Sequence, residues 1–368
     1  MSLTPIELRH TLHKNPELSF KEFNTTKLIR HNIESFDNHH KIKIHTPYKT
    51  GLLVEYTVND GEYYLFRADI DALPIKEENE IEFKSTNDFM HACGHDVHSS
   101  ILYSFVQNVL ENNTLHNMLF LFQPAEESGG GAMEFYATGI FNNYNISNAF
   151  ALHVTDEYPE GTIASTSGVL FASSLEVDIE FKGTSAHVAF PKEGKNALNA
   201  LRLFLDKCDL LKDENFEPFI FGVGKVYSGE VRNISPGNAK LEGTVRGLSE
   251  EKVLGFYQSL INILDEVKST DQVDYTISKG AHYPEVIVNG NLFKKLSAEL
   301  SKDHNFIDCG HKMTGEDFGF FSKKFPSFMF WLGSSNGERA GLHNAKFLPQ
   351  DSIIEKGSRI FDTILKAL

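Results

Sequence analysis

The fold is decided by the stretch Met118-Leu119-Phe120-Leu121-Phe122-Gln123-Pro124-Ala125-Glu126-Glu127, in which an unbroken apolar run ends in two carboxylates. A second run of this kind, Ala149-Phe150-Ala151-Leu152-His153, ends in a histidine. Short continuous apolar runs are typical of strands that are buried on both faces of a mostly parallel sheet. Because ligands gather at the carboxyl ends of such strands, we expect the glutamates and the histidine to share one site.

The first half of the chain alternates helical and extended patterns. Apolar residues recur with helical spacing in 6–12 and 25–33, and extended runs follow at 51–56 and 63–68. The last of these runs leads into Arg67-Ala68-Asp69-Ile70-Asp71, so a third strand also ends in acidic residues. This alternation predicts an α/β fold with a mixed, mostly parallel sheet and helices on both faces.

The pattern changes near residue 169. Residues 175–181 alternate apolar and polar side chains, as do many residues of 240–246, which is typical of an antiparallel sheet with one solvated face. Residues 249–267 have the apolar face of an amphipathic helix. We therefore predict a smaller α+β domain at residues 169–280, inserted into a discontinuous domain formed by residues 1–168 and 281–368.

Composition excludes several classes of function. Lys and Arg total 35 against 50 Asp and Glu, and the net charge of -15 disfavours nucleic acids and anionic membranes as partners. No apolar window reaches the roughly 18 residues of a membrane span, and no basic start precedes an apolar run. The three cysteines are too few for a disulfide framework. We expect a soluble, cytoplasmic protein.

The richest local cluster of potential ligands is Met90-His91-Ala92-Cys93-Gly94-His95-Asp96-Val97-His98. Each of these histidines or the cysteine alone could be a packing residue with satisfied hydrogen bonds. Together they are costly to bury without a metal ion or a hydrogen-bond network. Thiolate and imidazole suit zinc or a neighbouring first-row ion, and the carboxylate pair Glu126-Glu127 could supply a general base. These residues favour a metallohydrolase.

A family resemblance extends over nearly the whole chain. The motifs that carry it, in order, are Arg67-Ala68-Asp69-Ile70-Asp71-Ala72-Leu73-Pro74, His91-Ala92-Cys93-Gly94-His95-Asp96, Gln123-Pro124-Ala125-Glu126-Glu127, Ala186-His187 with Pro191 and Gly194, Gly315-Glu316-Asp317-Phe318, and Leu342-His343. They resemble the M20 family of metallopeptidases and amidohydrolases. The cysteine in the second motif is similar to the branch of aminoacylases, hippurate hydrolases and auxin-conjugate hydrolases.

The resemblance implies a two-metal centre, with zinc, manganese, cobalt or nickel as candidates. The implied ligands are Cys93, His95, Glu127, His153 and His343, with Cys93 placed where it can serve both ions. Glu126 would be the general base and Asp71 the residue that orients a ligand. Many relatives outside this branch have a histidine ligand at the position of Asp69, so the role of Asp69 stays open between a loop cap and a metal contact. His91, Asp96 and His98 are expected to orient the ligands or to begin a helix.

For the inserted domain, the resemblance implies a lid that commonly mediates dimerisation. His187 would bind the developing oxyanion, in several members of the family across a dimer, and Asn233 and Arg246 would contact polar groups of the substrate. Taken alone, a histidine in a turn such as His187 is more often a solvated surface residue, and the alternative for Arg246 is a charge on a solvated strand face.

The predicted reaction is metal-dependent hydrolysis of a small N-acyl amino acid by a homodimer or higher homo-oligomer. Two alternatives stay open: a broad N-acyl-amino-acid amidohydrolase on the same scaffold, and a metal-containing binding protein that has lost catalysis.

Overall fold

The computed structural model describes residues 2–37, 41–215 and 219–368. The chain divides into two compact units. The first comprises residues 1–170, 286–310 and 317–368, and the second comprises 171–285 and 311–316. The sequence prediction placed 281–285 and 311–316 in the first unit, so the second unit is larger than predicted at its carboxyl side. Its role as a lid or dimerisation domain stays a prediction.

The first unit contains most of the helices and strands. Its helices are α1 (Pro5–Lys14), α2 (Phe23–Phe36), α3 (His95–Asn112), α4 (Gly131–Ala137), α7 (Gly290–Leu300), α8 (Gly319–Ser322) and α9 (Ser352–Ala367), with a 3-10 turn at Ile140–Asn143. Its strands are β1 (Ile42–His45), β2 (Leu52–Tyr56), β3 (Tyr63–Asp69), β4 (Asn117–Gln123), β5 (Ile146–Pro159), β6 (Ile163–Ser165), β7 (Gly168–Phe171), β14 (Val286–Val288), β15 (Phe306–Asp308) and β16 (Ser327–Ser335).

An eight-stranded mixed sheet forms the centre of the first unit, in the order β1-β2-β4-β3-β5-β16-β6-β15. Strands β4, β3, β5 and β16 are mutually parallel, and β1, β2 and β6 supply antiparallel pairs. All residues of β4 are buried, as its continuous apolar run predicts. The predicted mixed, mostly parallel sheet is confirmed. Its parallel centre brings the carboxyl ends of β3, β4 and β5 to one edge.

Local sequence explains where the helices begin. Thr4 caps α1 through a reciprocal pair of bonds with Glu7, and Pro5 occupies the first turn. Helix α3 begins at His95 because Gly94 has φ +85°, and a Cβ there would lie 2.4 Å from Cγ2 of Val154. Only glycine fits this turn, which places the histidines of α3 next to β5.

The second unit has an antiparallel sheet in the order β10-β12-β8-β13. Its strands are β8 (Ser173–Lys182), β9 (Ala186–His187), β10 (Phe219–Ser228), β11 (Ile234–Ser235), β12 (Asn238–Gly247) and β13 (Asp274–Tyr283). Its helices are α5 (Ala197–Asn215) and α6 (Glu250–Asp271), with a 3-10 turn at Pro191–Glu193. Alternate residues of β8 enter a core formed with α5 and α6, the one-sided burial expected of such a sheet.

None of the helices in the described ranges combines the length and hydrophobicity that a bilayer-spanning segment requires. A cytoplasmic location stays a prediction.

Candidate metal centre

Five potential ligands from four segments of the first unit converge at the carboxyl edge of its sheet. The Cys93 Sγ lies 3.3 Å from the His153 Nε2 and 3.3 Å from the His343 Nε2. The Oε1 of Glu127 lies 3.4 Å from the His343 Nε2 and 3.8 Å from the His95 Nε2. The structure therefore brings together every ligand position that the family resemblance implied.

These side chains form two donor sets that share one residue. Cys93, His95 and His153 have ligand atoms within 4.8 Å of one another, as do Cys93, Glu127 and His343. Thiolate, imidazole and carboxylate together suit a first-row divalent ion. The shared position of Cys93 fits two neighbouring ions with a ligand between them.

Two buried atoms in the cluster have no hydrogen-bond partner among the described residues. They are the Nε2 of His95 and the Oε1 of Glu127. Leaving such atoms unsatisfied costs about 1–3 kcal/mol each. A metal cation within reach of both would remove this cost, so the donor set fits the implied ions.

Asp71 contacts two ligand-bearing segments. Its Oδ1 lies 3.1 Å from the Nδ1 of His95, and its Oδ2 accepts bonds from the Ser19 hydroxyl and the backbone N–H of Glu127. A carboxylate on the far nitrogen of a ligating histidine fixes its orientation. This geometry suits the orienting role that the family resemblance implied for Asp71.

The electrostatic environment of the cluster favours a cation. Burial would lower the pKa of His95, but Asp69, Asp71 and Glu127 outweigh it and raise that pKa to about 10. Burial and the negative charges of Glu127, Glu126 and Asp69 hold the pKa of the Cys93 thiol well above its ordinary value. A bound metal ion would lower that pKa, because coordination deprotonates a thiol.

The loop that carries Glu126 and Glu127 is held in an uncommon conformation. Ala125 has φ +55°, and its N–H donates to the Oε1 of Glu22 at 2.8 Å. Burial, with the nearby Asp71, raises the pKa of Glu22 to about 7. Sequence reasoning missed Glu22 because it lies between two predicted helices, far along the chain from any motif. A charged residue in that connection was the only available signal.

Sequence reasoning also missed Arg9, His13 and Glu77, which surround Asp96 in the first turn of α3. Asp96 accepts bonds from the Nε of Arg9 and from the Nδ1 of His13, and the other ring nitrogen of His13 lies 3.0 Å from Glu77. All four side chains are buried. The structure thus places Asp96 in an ionic network that anchors the first turn of α3 to α1.

Asp69 and His98 are bonded to each other and lie beside the ligands: the Oδ2 of Asp69 is 3.7 Å from the Nε2 of His95, and the His98 ring packs edge-on against the His153 ring. The Nδ1 of His98 donates to the Oδ1 of Asp69 at 2.6 Å, and Arg67 binds the other carboxylate oxygen at 2.8 Å. Arg67 also binds Asp317 and Gln123. His91 approaches the backbone oxygen of Asp71 with its Nδ1.

The residues predicted to bind substrate lie in the second unit, at two different ends of it. His187, in β9, pairs with Ile234 of β11, and the carbonyl of neighbouring Asn233 accepts the N–H of Val188. Arg246 is near the far end of β12, where its guanidinium donates to the carbonyl of Met313.

The distance between these ends follows from the strand register. Lys182 pairs with Asn238 at one end of β12, and Ser174 pairs with Arg246 near the other. The stretch from Asn238 to Arg246 spans about 26 Å at the usual rise per residue. The structure therefore brings His187 and Asn233 together but keeps Arg246 apart from them within the unit.

Residues 65–367 match the model of peptidase family M20/M25/M40. The chain is 37% identical over 354 residues to the N-acetyldiaminopimelate deacetylase of Exiguobacterium sibiricum, covering 95% of each chain. It is 34% identical over 368 residues to the enzyme of the same name from Bacillus cytotoxicus, covering 98% of this chain and 97% of the other.

Among solved structures, the chain is similar to a Bacillus subtilis protein described as a dinuclear metal binding peptidase from the M20 family. The TM-score is 0.82 at 27% identity, and the match covers 98% of this chain and 96% of the other.

Proposed function

The chain belongs to peptidase family M20/M25/M40, and from this premise we propose that it removes the acetyl group from N-acetyl-LL-diaminopimelate. The products are LL-diaminopimelate and acetate, on the acetylase route to lysine and cell-wall precursors. One observation carries the proposal of metal-dependent amide hydrolysis. Two donor sets share Cys93, and ligand atoms of Glu126, His95 and Glu127 lie within 4.8 Å of one another.

The substrate assignment has two supports. The relatives named above are 34% and 37% identical over nearly the full chain. In addition, two segments resemble this deacetylase: residues 313–319, Met-Thr-Gly-Glu-Asp-Phe-Gly, and residues 328–333, Phe-Met-Phe-Trp-Leu-Gly.

Cys93, His95, Glu127, His153 and His343 would hold two divalent ions, with zinc, manganese, cobalt and nickel as candidates. When bound, the ions supply Lewis-acid polarisation of the scissile carbonyl and acidify the attacking water. Asp71 holds His95 and the Glu127 loop in place. Glu126 takes a proton from the water as it attacks and returns that proton to the leaving amine. One water and one amide thus become a carboxylate and an amine.

His187 would donate a hydrogen bond to the oxyanion of the tetrahedral intermediate. Arg246 would bind the carboxylate of the substrate with its planar fork, and Asn233 a neighbouring polar group. His187 and Asn233 are exposed, and about 26 Å of strand separates their end of the second unit from Arg246. That span exceeds the length of this substrate, so His187 and Arg246 of one chain would serve different active sites.

The proposed assembly is therefore a homodimer in which His187 acts on the partner's substrate. Strand β10 offers a surface for a second copy. In the described residues it pairs only with β12, and Ile220, Val223, Val226 and Tyr227 are exposed along it. An apolar edge strand of this kind is suited to pairing with another chain.

Substrate selectivity tests the proposal. Protein reconstituted separately with manganese, cobalt and zinc is assayed on N-acetyl-LL-diaminopimelate, N-acetylmethionine and hippurate. Strong preference for the first supports the biosynthetic role. Comparable turnover of the simple conjugates would assign the chain to the general aminoacylase class. Absence of hydrolysis by fully metallated protein would favour the binding-protein alternative.

A further inference from the structure

Asp69, His95 and His98 have potential ligand atoms within 4.8 Å of one another, so they resemble a metal site. Their hydrogen bonds point to a different role. We propose that Asp69 and His98 form a positioning pair that holds the peptide next to the ligand His153, and that neither residue binds metal. This inference rests on the proposed metal centre and concerns how one of its ligands is oriented.

Both ring nitrogens of His98 are already used. The backbone N–H of Val154 donates to the Nε2 at 2.9 Å. An amide N–H can only donate, so the Nε2 carries no proton and the Nδ1 must carry it. The Nδ1–H then donates to the Oδ1 of Asp69 at 2.6 Å. No lone pair of the ring is left for a metal ion.

Asp69 has a bonded partner on each oxygen, although its Oδ2 also lies 3.7 Å from the Nε2 of His95. Its Oδ2 accepts a bond from the Nη1 of Arg67 at 2.8 Å, and neither side chain is exposed. The carboxylate therefore has a buried guanidinium on one oxygen and an imidazole N–H on the other. A positive partner this close lowers the carboxylate's attraction for a second cation.

The contact continues from His98 to the ligand itself. The carbonyl of Val154 accepts a bond from the Nδ1–H of His153 at 2.8 Å. In the neutral ring, this bond leaves the Nε2 of His153 unprotonated, and the Nε2 lies 3.3 Å from the Cys93 Sγ. The backbone of Val154 thus donates its N–H to His98 and accepts the bond from His153 with its C=O.

The place in the sheet explains why the pair is needed. Pairing between β3 and β5 ends at Arg67 and Ala151, before β5 reaches His153. Beyond that point the Val154 N–H donates to a side chain of α3, that of His98. The other edge of β5 stays paired with β16 at His153 and Val154, so the Asp69–His98 pair supports the edge of β5 at which pairing with β3 has ended.

The test uses the full chain, with metal content and affinity as readouts independent of turnover. The variants are His98→Leu, which removes the acceptor, His98→Gln, whose side-chain oxygen can accept the Val154 N–H, and Asp69→Asn. The controls are the exposed residues His31 and Asp88, changed to Gln and Asn. Ions per chain are counted at saturating zinc, affinity is measured by competition with a chelator, and the visible absorption of the cobalt form reports the ligand set.

A positioning role predicts that all three variants keep the wild-type number of ions and the wild-type cobalt bands at saturation. His98→Leu should bind metal about 10- to 100-fold more weakly, and His98→Gln should recover part of that loss. Fewer ions in Asp69→Asn or His98→Leu would show direct ligation and overturn the proposal. Unchanged affinity in His98→Leu would overturn it as well.

Wild-type protein separates this proposal from the proposed function. If it binds no ions, the metal centre itself is wrong; if it binds them and His98→Leu binds them equally tightly, only the positioning pair is wrong. Nitrogen-15 resonances of histidine in zinc-loaded wild type decide the matter if a variant does not fold. A neutral His98 with its proton on Nδ1 supports the pair, and a metal-bound or Nε2-protonated ring contradicts it.

Discussion

The predicted ligands of the first unit and the predicted substrate contacts of the second differ in how the chain holds them. His95 and His153 are buried and fixed by bonds to Asp71 and to the Val154 carbonyl. The side chain of His187 is exposed, and its Nδ1 accepts a bond from the N–H of Ala189, two residues along the chain. The first set is preorganised by one chain. In our proposal, a second copy of the chain completes the second set.

The largest expected effect is at Glu126, in the preorganised site of the first unit. Glu126→Gln removes the proposed base but none of the proposed ligands. We expect turnover to fall by about 10²- to 10⁴-fold, because a positioned general base contributes that much, with metal content unchanged. Steady-state kinetics and metal analysis on the same preparation check both parts. Glu111→Gln, at an exposed position of α3, is the matched control. A metallated Glu126→Gln variant with near wild-type turnover would refute the assignment.

His187→Ala tests the exposed side. We expect kcat to fall by about 10²- to 10³-fold, the usual cost of losing one oxyanion donor, with little change in KM or metal content. Mixing this variant with Glu126→Gln under subunit exchange should give activity well above either alone, because one site of the mixed dimer has both residues intact. Additive, unrescued activity would place His187 and Glu126 of the same chain in one site and break the proposed sharing.

A smaller effect is expected at Arg246. Arg246→Lys keeps the charge but loses the planar fork, so KM should rise about 10- to 100-fold, since hydrogen bonds to charged groups are worth about 1.5–3 kcal/mol. The change in kcat should be small. Arg202→Lys, at an exposed position of α5, is the control. A fall in kcat at constant KM would argue that Arg246 acts on the transition state instead of the bound substrate carboxylate.

The smallest expected effect on turnover is at His13. Its bond to Asp96 anchors the first turn of α3, where the proposed ligand His95 lies. Burial would lower the pKa of His13, but Asp96 and Glu77 raise it to about 9 from an ordinary 6.5. A raised folded-state pKa stabilises the protein below pH 6.5, and this stability is lost as the pH rises through 9. The excess unfolding free energy of wild type over His13→Gln should therefore shrink by about 3 kcal/mol across that range. Denaturant unfolding at fixed metal content measures it, and a pH-independent difference would contradict the network.

Sequence alone predicted the parts of this structure that are local or periodic. The runs 118–122 and 149–153 specified buried strands because no polar residue interrupts them, and the parallel centre of the sheet follows from that. The ligand cluster around Cys93 could be recognised because its donors are close along the chain. Their convergence with His343 came from family resemblance, since no pattern links positions so far apart.

What sequence could not predict are contacts made by single residues across the fold. Glu22 accepts a bond from Ala125, and Arg9 donates one to Asp96. Neither Glu22 nor Arg9 belongs to a motif. The role of Asp69 was open for the same reason, because its partner His98 is recognisable only once β3 and α3 are packed together. The compact units differ from the predicted bounds at 169–170, 281–285 and 311–316, because a short segment can pack with either unit without any change in composition.

The measurement that tests the central claim most directly is release of the free amine from N-acetyl-LL-diaminopimelate by metal-reconstituted protein, compared with N-acetylmethionine and hippurate at equal concentrations. The account predicts a much higher kcat/KM for the diaminopimelate conjugate, and loss of that activity on removing the metal with a chelator. Equal or better turnover of the simple conjugates, or hydrolysis that persists in metal-free protein, would contradict it.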